Sequence, residues 1–569
     1  MRNIVTIAEP SSSAFHQRVH GSFRLARHFF RSFRRIQFSS LFLALILSLP
    51  LFTLFFQASW YEGESFQHIK ETVLTDYVIN TVSLMLMVGV LVLIIGLPLA
   101  WLLANCDFTG KRFFDWALVL PLAMPAYIVA YTYTDLFDYA GPVQVLLRNT
   151  FNWQSPDDYW FFDIRSLGGA AVMLALVLFP YVYLMVRASF LEQNANLTQA
   201  ARMLGLSAWR SFFRVSLPLA RTATVAGVTL VMMETMADFA TVNYFAVSTL
   251  TTAVYDTWLG HYDLASAAKL SCLMVFGVMS LVMLESWQGR TRNSDNDAKS
   301  SQLRLNYRLQ GWKNVLAFTF CSLILSLAFV IPFFQLAVYA LAYFDQAWQS
   351  ELYVFAMNSL YIAVITAGVA IIIALLLNNN YRVQKSRWQS NSIKLASTGY
   401  AIPGTVLAIA VLIPLTFLDV QINQIADSYK VSAPGLLLSG TVFAIIASHV
   451  VRFIAIANKS IEASYQKISP SIDMAAKTLG SSRFSLLTRI HIPLVKKSVL
   501  VSALLIFVES MKELPAALLL RPFDFQTLPT YVYQFASDEQ LELAALGAIG
   551  IVIVGLVPLY FINRSIESH

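Results

Sequence analysis

The stretch AARMLGLSAWRSFFRVSLP, Ala200–Pro218, returns 275 residues later as AAKTLGSSRFSLLTRIHIP, Ala475–Pro493. In each copy an alanine pair, Ala200 and Ala201 or Ala475 and Ala476, leads to Gly205 or Gly480, which precedes Pro218 or Pro493 by 13 residues. Glycine takes the left-handed conformation that ends a helix, and proline is tolerated in the first turn of the next. The spacing therefore predicts a short helix, a turn, a second short helix and then a longer one. The same register runs outward. Glu234 in METMAD and Glu509 in VESMKE each lie 16 residues past the proline, and Asn80 with Asn358, and Pro125 with Pro403, are 278 apart. Such self-similarity over half the chain is the mark of a duplicated architecture.

The 569 residues are 57% hydrophobic and 13% charged, with a mean hydropathy of +0.60. A soluble chain carries about a quarter charged residues, so the solvent is lipid and a soluble multidomain enzyme is excluded. About 20 apolar residues cross a bilayer as a helix. The sequence offers twelve such runs: Phe38–Gln57, Ile79–Asn105, Trp116–Tyr133, Leu167–Ser189, Val225–Phe245, Leu264–Glu285, Val315–Ala342, Phe355–Leu377, Leu395–Leu418, Leu436–Ala457, Leu500–Leu520 and Leu541–Ile562. The expected fold is an all-α polytopic membrane protein. Because six spans separate equivalent positions, its two six-helix repeats are parallel. The expected order is a basic arm, residues 1–37, a first repeat, 38–286, with its duplicated loop at about 191–222, a polar linker, 287–314, and a second repeat, 315–569, with its loop at about 458–497.

The net charge of +7 needs no nucleic-acid partner, because basic residues collect in cytoplasmic loops. Seven arginines before residue 36, six basic residues from Arg290 to Lys313, and Arg382, Lys385, Arg387 and Lys394 fall on one side. The opposite loops are acidic, with Glu62, Asp135, Asp138, Asp163, Asp345 and Glu539 among them. This asymmetry places both termini in the cytoplasm. The basic arm reads as a topology signal that also touches anionic lipid, followed by a retained anchor rather than a cleaved signal peptide. Cys106, Cys272 and Cys321 form no pattern for a disulfide framework or thiolate site.

No phosphate-cradling G-x-x-x-x-G-K-[ST], no H-E-x-x-H and no G-x-S-x-G occurs, so the chain carries no nucleotide site or catalytic constellation of its own. The duplicated loop instead suits docking of an exposed short helix into a groove on another protein.

These two loops resemble the EAA loops of ABC importer permeases. Further stretches, Ala237–Trp258, Gly399–Ala410 and Met511–Glu539, resemble the fused two-half permeases of ferric-iron importers. The likeness covers the chain from Asn80 to Ile562. It departs from the family at the glutamate that names the loop, where Gln199 and Met474 stand, with Asp473 one place earlier. The resemblance implies the type I permease fold in a bacterial inner membrane, with a periplasmic ferric-iron-binding protein delivering cargo. It further implies two copies of a cytoplasmic ABC ATPase, which hold ATP and Mg, while this chain binds no cofactor. Ala200, Ala201, Gly205, Pro218, Ala475, Ala476, Gly480 and Pro493 would then form the coupling loops.

Glu234 with Asp238, and Glu509 with Glu513, sit four apart inside expected spans, a spacing that puts each pair on one helix face. Intramembrane carboxylates are costly and face a cavity or a partner. Two readings stand: the four line a pathway for a hard cation, acting as transient metal contacts, or they pair structurally with Lys512 and neighbouring helices. Asn80 and Asn358 read as helix N-caps, and Pro125 and Pro403 as breaks in the third and ninth spans. The functions in competition are an ABC importer permease for ferric iron, the same permease for a phosphonate, polyamine or thiamine, a secondary transporter, and a membrane enzyme or scaffold. Matched docking loops disfavour the secondary transporter, and the lack of a catalytic constellation disfavours the last.

Overall fold

The computed structural model describes residues 39–193, 201, 203–289 and 307–567; the basic arm and most of the linker lie outside them. Among the described residues ten helices are long and apolar enough to cross a membrane, and the number reaches twelve when each of two bent helix pairs is taken as one span. The fold is all-α, and the twelve crossings form two parallel six-helix repeats.

The bends correct the expected spans. Trp116–Tyr133 is not one helix: Lys111–Ala117, a tight turn at Leu120–Ala123 and Ala126–Phe137 follow one another, with a 90° bend between the arms. Pro125 is the cause. Its ring forbids a helical conformation at the residue before it, and Met124 is extended at φ −101°, ψ 121°. The second repeat does the same at Pro403, where Ile402 sits at φ −92°, ψ 132°. The ninth span accordingly begins at Gly404 and runs to Ser428, while Arg387–Ala396 is a separate amphipathic helix.

The fifth and eleventh spans also end early. The Arg221–Ala237 helix stops at Asp238, and the Ile492–Lys512 helix stops at Glu513. Each is followed by a short helix, Ala240–Tyr244 or Pro515–Leu520. Both long helices are entered through a π-helical turn, Phe212–Ser216 and Leu487–His491. Pro218 and Pro493 stand just beyond these turns, where a missing N–H costs least.

Asn80 and Asn358 are not N-caps. Both lie inside long helices, Leu74–Asn105 and Ser350–Val383, and donate from Nδ2 to the carbonyls of Ser248 and Gln526, each 168 residues away, at 2.9 Å. The neighbouring hydroxyls of Thr81 and Ser359 accept from the amides of Leu250 and Leu528. These bonds fasten the second span of each repeat to the loop before its last helices, satisfying backbone groups that lipid cannot.

The halves are not separate cores. Met511, Leu514, Val532 and Ala545 of the second half are buried with Leu84, Phe179 and Val182 of the first. Gly555 of the last helix lies so close to the broken third span that a Cβ there would sit 2.6 Å from the Ala123 carbonyl. Where the linker re-enters, Tyr307–Arg308 pairs in parallel with Cys106–Asp107, which pins the second repeat to the first at the end of the molecule carrying the duplicated loops.

Candidate translocation cleft and coupling loops

In both loops the glycine is left-handed, at φ +85° for Gly205 and +80° for Gly480. The amide of the following residue closes back on a carbonyl five residues earlier: Leu206 on Ala201 at 3.1 Å and Ser481 on Ala476 at 3.0 Å. This is a Schellman helix end. Ala201 and Ala476 are buried beneath it, whereas Ala475 is exposed and accepts the Leu479 amide at 3.1 Å. Ala200 and Gln199 lie outside the described residues. The turn throws Leu204 and Leu479 outward, 84% and 86% exposed. Two equivalent apolar knobs therefore project at the same end of the molecule.

The second loop is additionally held by charge. Asp473, on the short Pro470–Thr478 helix, accepts from Arg382 Nε at 2.8 Å and pairs with His491 Nε2 at 2.9 Å. Arg382 also donates to the carbonyls of Tyr465 and Ile468 at the end of the Val442–Gln466 helix. His491 Nδ1 in turn meets Asn379. Burial raises the Asp473 carboxyl, but the His491 and Arg382 hydrogen bonds and the guanidinium charge outweigh it, so its pKa lies below the ordinary carboxylate value. The sequence departure at Met474 is thus met by Asp473 one place earlier.

Glu234, Asp238, Glu509 and Glu513 all line one cleft between the repeats, together with Tyr127, Tyr181, Arg452 and Lys512. The pairs do not share helix faces, because Asp238 and Glu513 are the residues at which their helices break. Each turns to cap the short helix that follows. Asp238 accepts from the Thr241 and Val242 amides, and Glu513 from those of Ala516 and Ala517. Glu513 is also paired with Arg452 at 2.8 Å and His449 at 3.3 Å, and Glu509 with Lys512 at 2.8 Å. Among the described residues no three His, Cys, Asp or Glu converge to hold a metal ion; the four carboxylates line the cleft. Arg452 and His449 were not singled out by the sequence reading, and Arg382 was read only as a topology charge, although an arginine inside the apolar run HVVRFIAIA is itself a signal of a buried charge.

A family model described as "Binding-protein-dependent transport system inner membrane component" matches residues 96–293. The molybdenum transport system permease protein ModB of Haemophilus influenzae is 33% identical over 165 residues, 28% of this chain and 69% of that one. The chain belongs to this family of ABC importer permeases. Fe(3+)-transport system permease protein FbpB 2 of H. influenzae is 24% identical over 492 residues, covering 85% of this permease and 89% of that protein. This match spans both repeats and marks the present permease as one of the fused two-half kind. The sulfate transport system permease protein CysT of Escherichia coli is 26% identical over 263 residues, 44% of this permease and 90% of that one. The permease is a multi-pass inner-membrane component of a binding-protein-dependent transport system.

Proposed function

We propose that this permease moves ferric iron from a periplasmic binding protein to the cytoplasm. In this reading it opens alternately to each side while two cytoplasmic ABC ATPase subunits hydrolyse ATP with Mg. The observation that carries the cargo is the charge of the cleft: four carboxylates against Arg452 and Lys512, an oxygen-rich, net-negative lining that suits a hard cation. Likeness along both repeats to a protein named for Fe(3+) transport supports the same choice. Gly205 and Gly480, with the knobs Leu204 and Leu479, are the docking elements, one for each ATPase subunit. In this orientation the loops and both termini are cytoplasmic, and the opposite end, where Arg165 pairs with Asp138 and Glu539, faces the periplasm.

The test is to purify the complex from membranes and reconstitute it in vesicles. A P-loop ATPase that co-purifies, with ATP-dependent uptake of Fe(III) supplied on the binding protein, is the expected result. Uptake of molybdate or sulfate instead would keep the permease and discard the cargo. Import by the chain alone along an ion gradient would discard the ATP-driven mechanism.

A further inference from the structure

At the cleft the two repeats share their helix breaks at Asp238 and Glu513 but not their charge. In the second, Glu509 is neutralised by Lys512 and Glu513 by Arg452, with a further contact from His449 Nε2 at 3.3 Å. In the first, Ala237 stands where Lys512 does and Val177 where Arg452 does; both line the same cleft. Asp238 is occupied as a helix cap. Glu234 makes no hydrogen bond and no ion pair among the described residues, yet faces the cleft. A second polar group is also unsatisfied there. Tyr127 lines the cleft, is 5% exposed, and its hydroxyl has no hydrogen-bond partner among the described residues. A buried hydroxyl without a partner costs about 1–3 kcal/mol, a cost relieved when a ligand supplies the missing contact.

We propose that Glu234 and Tyr127 are the cargo contacts of the cleft, taking a hard, oxygen-seeking cation asymmetrically on the first-repeat wall. Lys512 is the tethered cation that holds the opposite wall. It pairs with Glu509 and reaches the Leu122 carbonyl of the first repeat at 3.5 Å, so a protein charge bridges the two walls of the cleft. Tyr127 follows the break at Pro125, and Glu234 lies one turn before the break at Asp238. This inference rests on the cationic cargo proposed above.

The experiment uses the complete transporter in vesicles, with radiolabelled Fe(III) on the binding protein and ATP inside. Glu234→Gln and Ala237→Lys, which gives the first repeat the lysine of the second, are each expected to lower uptake at least tenfold. ATPase association should be unchanged in both, and Glu234→Asp should recover part of the loss. Tyr127→Phe is expected to lower uptake several-fold. Wild-type uptake by Glu234→Gln or by Ala237→Lys would overturn the inference while leaving the iron reading in place. A wild-type complex that imports an oxyanion and no Fe(III) would overturn the iron reading and the inference with it.

Discussion

Asp238 and Glu513, 275 residues apart, end equivalent helices with nearly the same backbone, φ −68°, ψ 127° against φ −71°, ψ 120°. Each then caps the short helix that follows. The geometry is shared but the electrostatics are not, because Glu513 also holds Arg452, whose side chain is 15% exposed. Glu513→Ala should therefore be the more damaging change. It strands a buried guanidinium, a loss of about 3–5 kcal/mol, whereas Asp238→Ala removes a cap at about 1 kcal/mol. Thermal unfolding of the detergent-solubilised protein separates the two; equal losses would mean that Arg452 finds another partner.

At the loops, nothing lies within 4 Å of a Cβ built on Gly205 or Gly480. Substitution there meets only backbone strain, about 1–2 kcal/mol for a residue forced left-handed. Gly205→Val and Gly480→Val are expected to fold and insert, while uptake falls because the knobs Leu204 and Leu479 are re-aimed. Uptake per ATP hydrolysed, measured in vesicles, reports this. Loss of folded protein in both variants would make the turn structural only.

Asp473 gives a pH dependence. Its carboxyl is depressed in the folded state, so the stability it confers is complete above the unfolded value, about 3.9, and is lost as pH falls through the lower folded value. With side chains of Arg382 and Asp473 only 10% and 14% exposed, Asp473→Asn should cost about 1.5–3 kcal/mol at neutral pH. The difference from wild type should shrink below about pH 4. Melting temperatures of both proteins across pH 3–8 test the sign; a gap that widens in acid would refute it.

Much of this was legible in the sequence. Hydropathy and the twin loops gave the spans, the parallel repeats and the left-handed glycines, because lipid leaves few ways to bury a backbone. The break at Asp238 was not, since nothing local stops a helix at METMAD, whereas Pro515, two residues past Glu513, was a local mark of the second break that went unread. Asn80 and Asn358 show the same limit. Their spacing was read correctly and their role was not, because a side-chain amide can donate as well as accept. Removing either donor by Asn80→Ala or Asn358→Ala should cost about 0.5–1.5 kcal/mol and, by symmetry, similar amounts in thermal unfolding.

At the end of the molecule opposite the loops, Arg165 of the first repeat joins Asp138 at 3.2 Å to Glu539 of the second at 2.8 Å. Beneath it the Asn243 amide donates to the Tyr533 hydroxyl at 2.8 Å, again between repeats. The outer pair is exposed, with Glu539 68% accessible, and such pairs contribute about 0.2–1 kcal/mol. A contact that weak cannot hold the fold, but in the alternating cycle proposed above it biases the equilibrium between closed and open mouths. Arg165→Ala is therefore expected to leave the melting temperature within a few degrees of wild type and to raise ATP hydrolysis by the complex in the absence of binding protein. High salt, which screens the same charges, should raise hydrolysis in wild type and have less effect in the variant. Unchanged hydrolysis in both conditions would mean that the Asn243–Tyr533 layer alone keeps the mouth shut.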